Sequence, residues 1–162
     1  EQGKIGSRRI KIHDPDPTNP GESGYLIESD AYYSQESHPY QYGGFISEAM
    51  QIPYAFKQPD ENEMTQAAFN KVKNFIKEFE TCLKDEKRVK NHEYEKYIDV
   101  DQCIDYALIQ ELTGNEDFYN SYPVNGAHSM YFHIDSIGFG GKLKFGHLWD
   151  FDYQTYEPSR AS

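Results

Sequence analysis

The sequence predicts an α+β fold, and three observations predict it. The first sixty residues alternate short β-like runs with turn material, apolar residues then recur at steps of three and four from Thr65 to Leu112, and two further β-like runs follow.

Four runs near the start read as strands of an N-terminal antiparallel sheet: RRIKIH at 8–13, GYLIES at 24–29, GGFISEA at 43–49 and YAFK at 54–57. The stretches between them, DPDPTNPGESG and SQESHPYQYGG, are rich in the Pro, Gly, Ser and Asp that favour turns. Asp14, Asp16 and Asn19 within 14–22 lack the spacing of a calcium loop and prolines interrupt them, so a loop is the reading there. From Thr65, a suitable N-cap, the residues Phe69, Val72, Phe75, Ile76, Phe79, Cys82 and Leu83 define the apolar stripe of a first helix. The charged run LKDEKRVKNHEYEK at 83–96 reads as a solvated connection.

A second helix follows, with Asp99 or Asp101 near its start and Gly114 where a terminating glycine belongs. Val100, Cys103, Ile104, Ala107, Leu108 and Leu112 are expected on its buried side, and the two helices are expected to pack. Past it, SMYFHI at 129–134 and KLKFGHL at 142–148, joined by DSIGFGG, read as a β-hairpin that runs into WDFD at 149–152.

Composition narrows the function. With 16 Lys plus Arg against 27 Asp plus Glu, a net charge of -11 repels polyanions, so nucleic acid and anionic membrane surfaces are not expected partners. No apolar run reaches the length of a membrane-spanning helix. The 14 Tyr and 10 Phe argue for a folded chain. The two cysteines, Cys82 and Cys103, form no CxxC pair and read as buried free thiols, with a disulfide open if the two helices meet. The six histidines are scattered, and His128, His133 and His147 read as structural. Opening on Glu1 without an initiator Met, the sequence reads as a piece of a longer protein.

The order of elements carries the chemistry. A helix, a loop bearing Asp117, a hairpin and then an acidic D-x-D is the order in which protein kinases place the Asp that accepts the substrate's hydroxyl proton and the later Asp that holds Mg²⁺. Alternate residues of a strand share a face, so Asp150 and Asp152 could meet one cation, and such hard oxygen ligands suit Mg²⁺ or Mn²⁺. Spacing alone leaves a turn residue and a solvated charge open as readings of Asp117 and Asp152. No pattern supports the paired carboxylates of a glycoside hydrolase over this order.

Two long runs settle on a family. YIDVDQCIDYALIQELTGNED at 97–117 resembles a segment in which Y-I-D-x-D leads through I-D-Y-x-L to E-L-T-x-N-x-D, and KLKFGHLWDFD at 142–152 resembles the signature G-K-L-x-x-G-P-x-W-D-F-D. With EQGKIGSRRIKI at 1–12, GYLIESD at 24–30 and IPYAFKQPDENEMT at 52–65, the similarity covers nearly the whole chain. The chain is identified as a member of the CotH kinase family, atypical protein kinases of spore coats, secreted bacterial proteins and fungal surface invasins.

The resemblance implies a single partial kinase-like domain over 1–162, an atypical protein-kinase-like fold fragment whose nucleotide-binding strands and phosphate-contacting lysine lie upstream. It implies ATP-dependent transfer of phosphate to Ser or Thr of an extracytoplasmic protein, with a secreted, cell-surface or spore-coat location. Asp117 matches the family's catalytic aspartate, Asp150 its metal-binding aspartate and Asp152 the second Asp of the signature, a candidate second ligand for Mg²⁺ or Mn²⁺. Asn115 either orients the catalytic loop or caps the helix, Trp149 reads as a core anchor, and Ser129 and Tyr131 read either as supporting hydroxyls or as strand packing. The chain departs from the family in the insertions at 118–128 and 136–139 and in His147, which stands at the signature's Pro. Without the upstream half, the chain alone is not expected to turn over ATP. The alternative is a non-catalytic surface or adhesion module that binds protein or glycan.

Overall fold

The computed structural model of the chain describes residues 23–30, 40–115, 118, 130–138, 140–148 and 151. The strand expected at 8–13 lies outside the described residues. Among the described residues five strands form one antiparallel sheet: β1 (Tyr25–Ser29), β2 (Gly44–Ile46), β3 (Pro53–Gln58), β4 (Met130–Ile134) and β5 (Leu143–Phe145), in the order β2-β3-β1-β4-β5. The chain is therefore α+β as its sequence predicts. The N-terminal strands and the C-terminal hairpin are one continuous sheet, because β1 pairs with β3 on one side and with β4 on the other.

Alternation divides the sheet into an apolar face and a more polar one. Phe45, Tyr54, Phe56, Tyr25, Ile27, Met130, Phe132, Ile134 and Leu143 join one buried cluster with Ala68, Val72, Ile76 and Phe79 of the long helix α2 (Gln66–Lys84). The helical step of three and four brings those four residues onto the sheet, and each fully buried large side chain contributes about 1.5–3 kcal/mol. Thr65 caps α2 as expected, its hydroxyl accepting from the Ala68 amide at 3.2 Å. A short helix, α1 (Tyr40–Gly43), leads into β2, and Tyr42 packs edge-on against Phe69 of α2.

The charged run after α2 is solvated but not irregular. It forms α3 (Glu86–Lys90) and a 3₁₀ turn (Glu93–Lys96), with no buried residue in either. Asp85 starts α3 by accepting from the Lys87 and Arg88 amides, while Arg88 is held by Glu93 and the Tyr97 hydroxyl.

The helix α4 (Val100–Thr113) ends as expected at Gly114, in the left-handed conformation as C-cap, and of Asp99 and Asp101 it is Asp99 that serves as N-cap. The buried side of α4 is the expected one only in part: Val100 packs against the core and Cys103 and Ala107 are half-buried. Ile104, Leu108 and Leu112 are 52%, 54% and 79% exposed, whereas Tyr106 and Gln110 are buried. The reason lies in the sheet partner: α4 packs on β5 through Gln102 and Tyr106, and buried Gln110 continues that stripe of period four on the opposite side of the helix. Cys82 is buried, Cys103 is half-buried, and both are free thiols. Among the described residues no helix is long and apolar enough to cross a membrane.

Candidate functional site

Asp117, Asp150 and Asp152 lie outside the described residues, as do Trp149 and Ser129. The structure does describe the chain on either side of Asp117 and the chain leading into Asp150. Both are fastened to α4.

The outer edge of β5 is closed by the start of the first long motif. The Leu143 amide donates to the Tyr97 carbonyl at 2.7 Å and the Asp99 amide donates to the Leu143 carbonyl at 3.2 Å. One turn into α4, the Phe145 amide donates to Gln102 Oε1 at 2.6 Å, and Gln102 Nε2 donates back to the Phe145 carbonyl. Backbone groups that an edge strand would leave to solvent are thus paired by the other motif.

Beyond Phe145 the chain turns at Gly146, whose φ of +93° is costly for any residue with a Cβ. A Cβ there would also lie 3.1 Å from two ring carbons of Tyr106. The strand expected to continue to Leu148 therefore ends at Phe145.

Tyr106 is the hub of the arrangement. Its ring meets Phe145 and Gly146 on one side and Phe118, next to Asp117, on the other, with centroids 6.1 Å from Phe145 and 6.2 Å from Phe118. Burial pushes the Tyr106 phenol above its ordinary range, so it remains protonated, and its hydroxyl is hydrogen-bonded to Gln110. Gln110, 1% exposed, in turn accepts from the Asn115 amide nitrogen at 2.9 Å. Of the two roles expected of Asn115, the structure bears on the one at the helix end. The Asn115 backbone amide donates to the Gln110 carbonyl at 3.2 Å, completing the helix terminus around Gly114, and its side chain ties the loop to the helix two residues before Asp117.

On the sheet face turned away from α2, a second group of side chains holds the exit of β5. The Gly146 amide donates to the Tyr131 carbonyl at 2.6 Å, and the His133 ring nitrogen Nδ1 meets the Gly146 carbonyl at 3.2 Å. His147 stacks on the Tyr131 ring, with centroids 4.6 Å apart and planes at 29°. Burial lowers the pKa of both histidines below the ordinary value, and for His147 the neighbouring His133 adds to the effect. Tyr131 therefore supports the exit of β5 as well as packing in its strand.

Gln102, Tyr106 and Gln110 were not singled out by sequence reasoning as positioning residues. Their period-four spacing is a legible signal, masked by the more apolar stripe on the opposite side of α4.

Among the described residues no group of three or more His, Cys, Asp and Glu could hold a metal ion. The metal ligands implied by resemblance, Asp150 and Asp152, are outside that set. No curated protein and no solved structure matches the chain. A family match described as CotH kinase protein covers residues 19–160, nearly the whole chain and both motifs that meet at Tyr106. The chain belongs to the CotH kinase family.

Proposed function

We propose that the chain is part of a secreted or surface protein kinase that transfers phosphate from ATP to Ser or Thr hydroxyls of an extracytoplasmic protein. The observation that supports it most is the convergence on Tyr106: Phe118, adjacent to Asp117, and Gly146, four residues before Asp150, rest on the same buried ring. Two segments far apart in sequence thus meet on one helix, which supports a reading in which catalysis works by positioning.

In this reading Asp117 accepts or orients the proton of the attacking hydroxyl, and Asp150 with Asp152 holds Mg²⁺ or Mn²⁺. When bound, the metal neutralises charge on the nucleotide's phosphates. The protein's own contribution is rigidity: Asn115 and Gln110 fix the start of the Asp117 loop, and Gln102, Tyr106 and Tyr131 fix the approach to Asp150.

Calorimetric titration with ATP and Mg²⁺ or Mn²⁺, on this chain and on a version extended upstream, tests the reading. Binding by the extended protein that disappears with Asp150→Ala supports it. A well-folded extended protein that binds no nucleotide overturns it in favour of a surface module that binds protein or glycan.

A further inference from the structure

Glu28 is a buried carboxylate in the middle of a sheet. It sits in the central strand β1, on the face away from α2, and is 6% exposed. A carboxylate in such a place needs compensation, and three features supply it. The β1–β3 register slips between Leu26 and Ile27, whose partners are Gln58 and Phe56, leaving Lys57 as the extra residue of a bulge. From there the Lys57 ammonium reaches Glu28 Oε2 at 2.6 Å. The third feature is the Tyr131 hydroxyl, which hydrogen-bonds to the same carboxylate.

A buried ion pair contributes little to stability compared with apolar side chains of the same volume, so packing alone does not account for it. Its geometry suits orientation. Tyr131 lies directly across from Glu28 in the β1–β4 ladder, and the ring that Glu28 holds by its hydroxyl carries His147 on its face. The Tyr131 carbonyl also takes the Gly146 amide.

We propose that Glu28 is a positioning residue: acting through the Tyr131 hydroxyl and the stack of Tyr131 on His147, it fixes the main chain at Gly146–His147, from which WDFD leaves. Its importance for chemistry rests on the reading of Asp150 as a metal ligand. Lys57 sets the orientation of the carboxylate, and His147, at the position of the signature's proline, lets a ring stack do the work of a rigid residue.

The chain carries one tryptophan, Trp149, two residues past His147, so its fluorescence reports on the segment in question. Acrylamide quenching and Mn²⁺ titration of that emission are to be measured on the full 162-residue chain and on Glu28→Gln, Tyr131→Phe and the double variant, with far-UV circular dichroism to confirm folding. The expected result is altered quenching in each single variant, Mn²⁺ affinity weakened about tenfold, and no further change in the double variant, because Glu28 acts through the hydroxyl. Unaltered Trp149 quenching in a folded Tyr131→Phe variant, or additive effects in the double variant, overturns the proposal. If the unmodified chain shows no Mn²⁺ response, the metal reading of Asp150 loses support, and the quenching pattern alone decides the role of Glu28.

Discussion

The Gln102 side chain is bonded to both backbone groups of Phe145: Oε1 accepts from its amide at 2.6 Å and Nε2 donates to its carbonyl. One amide side chain thus serves as a neighbouring strand for β5. Gln102→Ala leaves both groups of Phe145 unpaired in a half-buried setting. It is expected to lower the unfolding free energy by about 2 kcal/mol, measurable by urea denaturation.

Glu80 holds the β2–β3 turn from inside α2. Its carboxylate, 1% exposed, accepts from the Tyr54 hydroxyl at 3.1 Å, the Met50 amide at 3.2 Å and the Ser47 hydroxyl. Glu80→Ala strands the buried Tyr54 hydroxyl and is expected to cost about 3 kcal/mol. Combining Glu80→Leu with Tyr54→Phe removes the stranded hydroxyl and should recover part of that loss in the same denaturation assay, the Met50 amide and the Ser47 hydroxyl still lacking their acceptor.

The histidine pair at the exit of β5 makes stability depend on pH. Both folded values lie below the ordinary 6.5, chiefly through burial, with Lys144 adding to the lowering at His133 and Asp135 opposing it. A base with a depressed folded value contributes stability that is present above its unfolded pKa and is lost as pH falls through the folded one. The unfolding free energy should therefore decline as pH drops below 6.5. Glu28 and Glu80, raised by burial, act in the opposite sense at lower pH. His147→Phe keeps a ring on Tyr131 but cannot titrate, so its decline should be shallower than that of the unmodified chain at the same pH values.

The α4 helix shows where sequence was legible and where it was not. Its end at Gly114, and its start to within Asp99 or Asp101, were readable because caps are local chemistry. Its orientation was not, since Ile104, Leu108 and Leu112 share the spacing of Gln102, Tyr106 and Gln110 and are more apolar. Only the unsatisfied edge of β5 chooses between the stripes, and that edge comes from residues some forty positions later. The same holds for the sheet: its strands could be read from alternation, but the pairing of β1 with β4 joins segments with no local signal in common. The functional aspartates rest on motif resemblance, while the residues that anchor their neighbours emerge from tertiary contact.

That orientation gives contrasting outcomes for two substitutions. Leu112→Lys should change stability by no more than about 0.5 kcal/mol, whereas Tyr106→Ala, which removes the buried hub, should cost about 3–5 kcal/mol. Equal costs would show that α4 packs by its other side.

The central strand has a consequence for how the chain matures. Tyr25 pairs with Ile134, more than a hundred positions away, so a growing polypeptide exposes β1 long before β4 emerges from the ribosome. Until then β3 satisfies only one flank of β1, and the other presents free amides and carbonyls to any passing strand. Closing the middle of the sheet is thus a late event. Expression truncated before Ile134 should yield an aggregation-prone product, while chains reaching Phe145 gain β4 and β5 together.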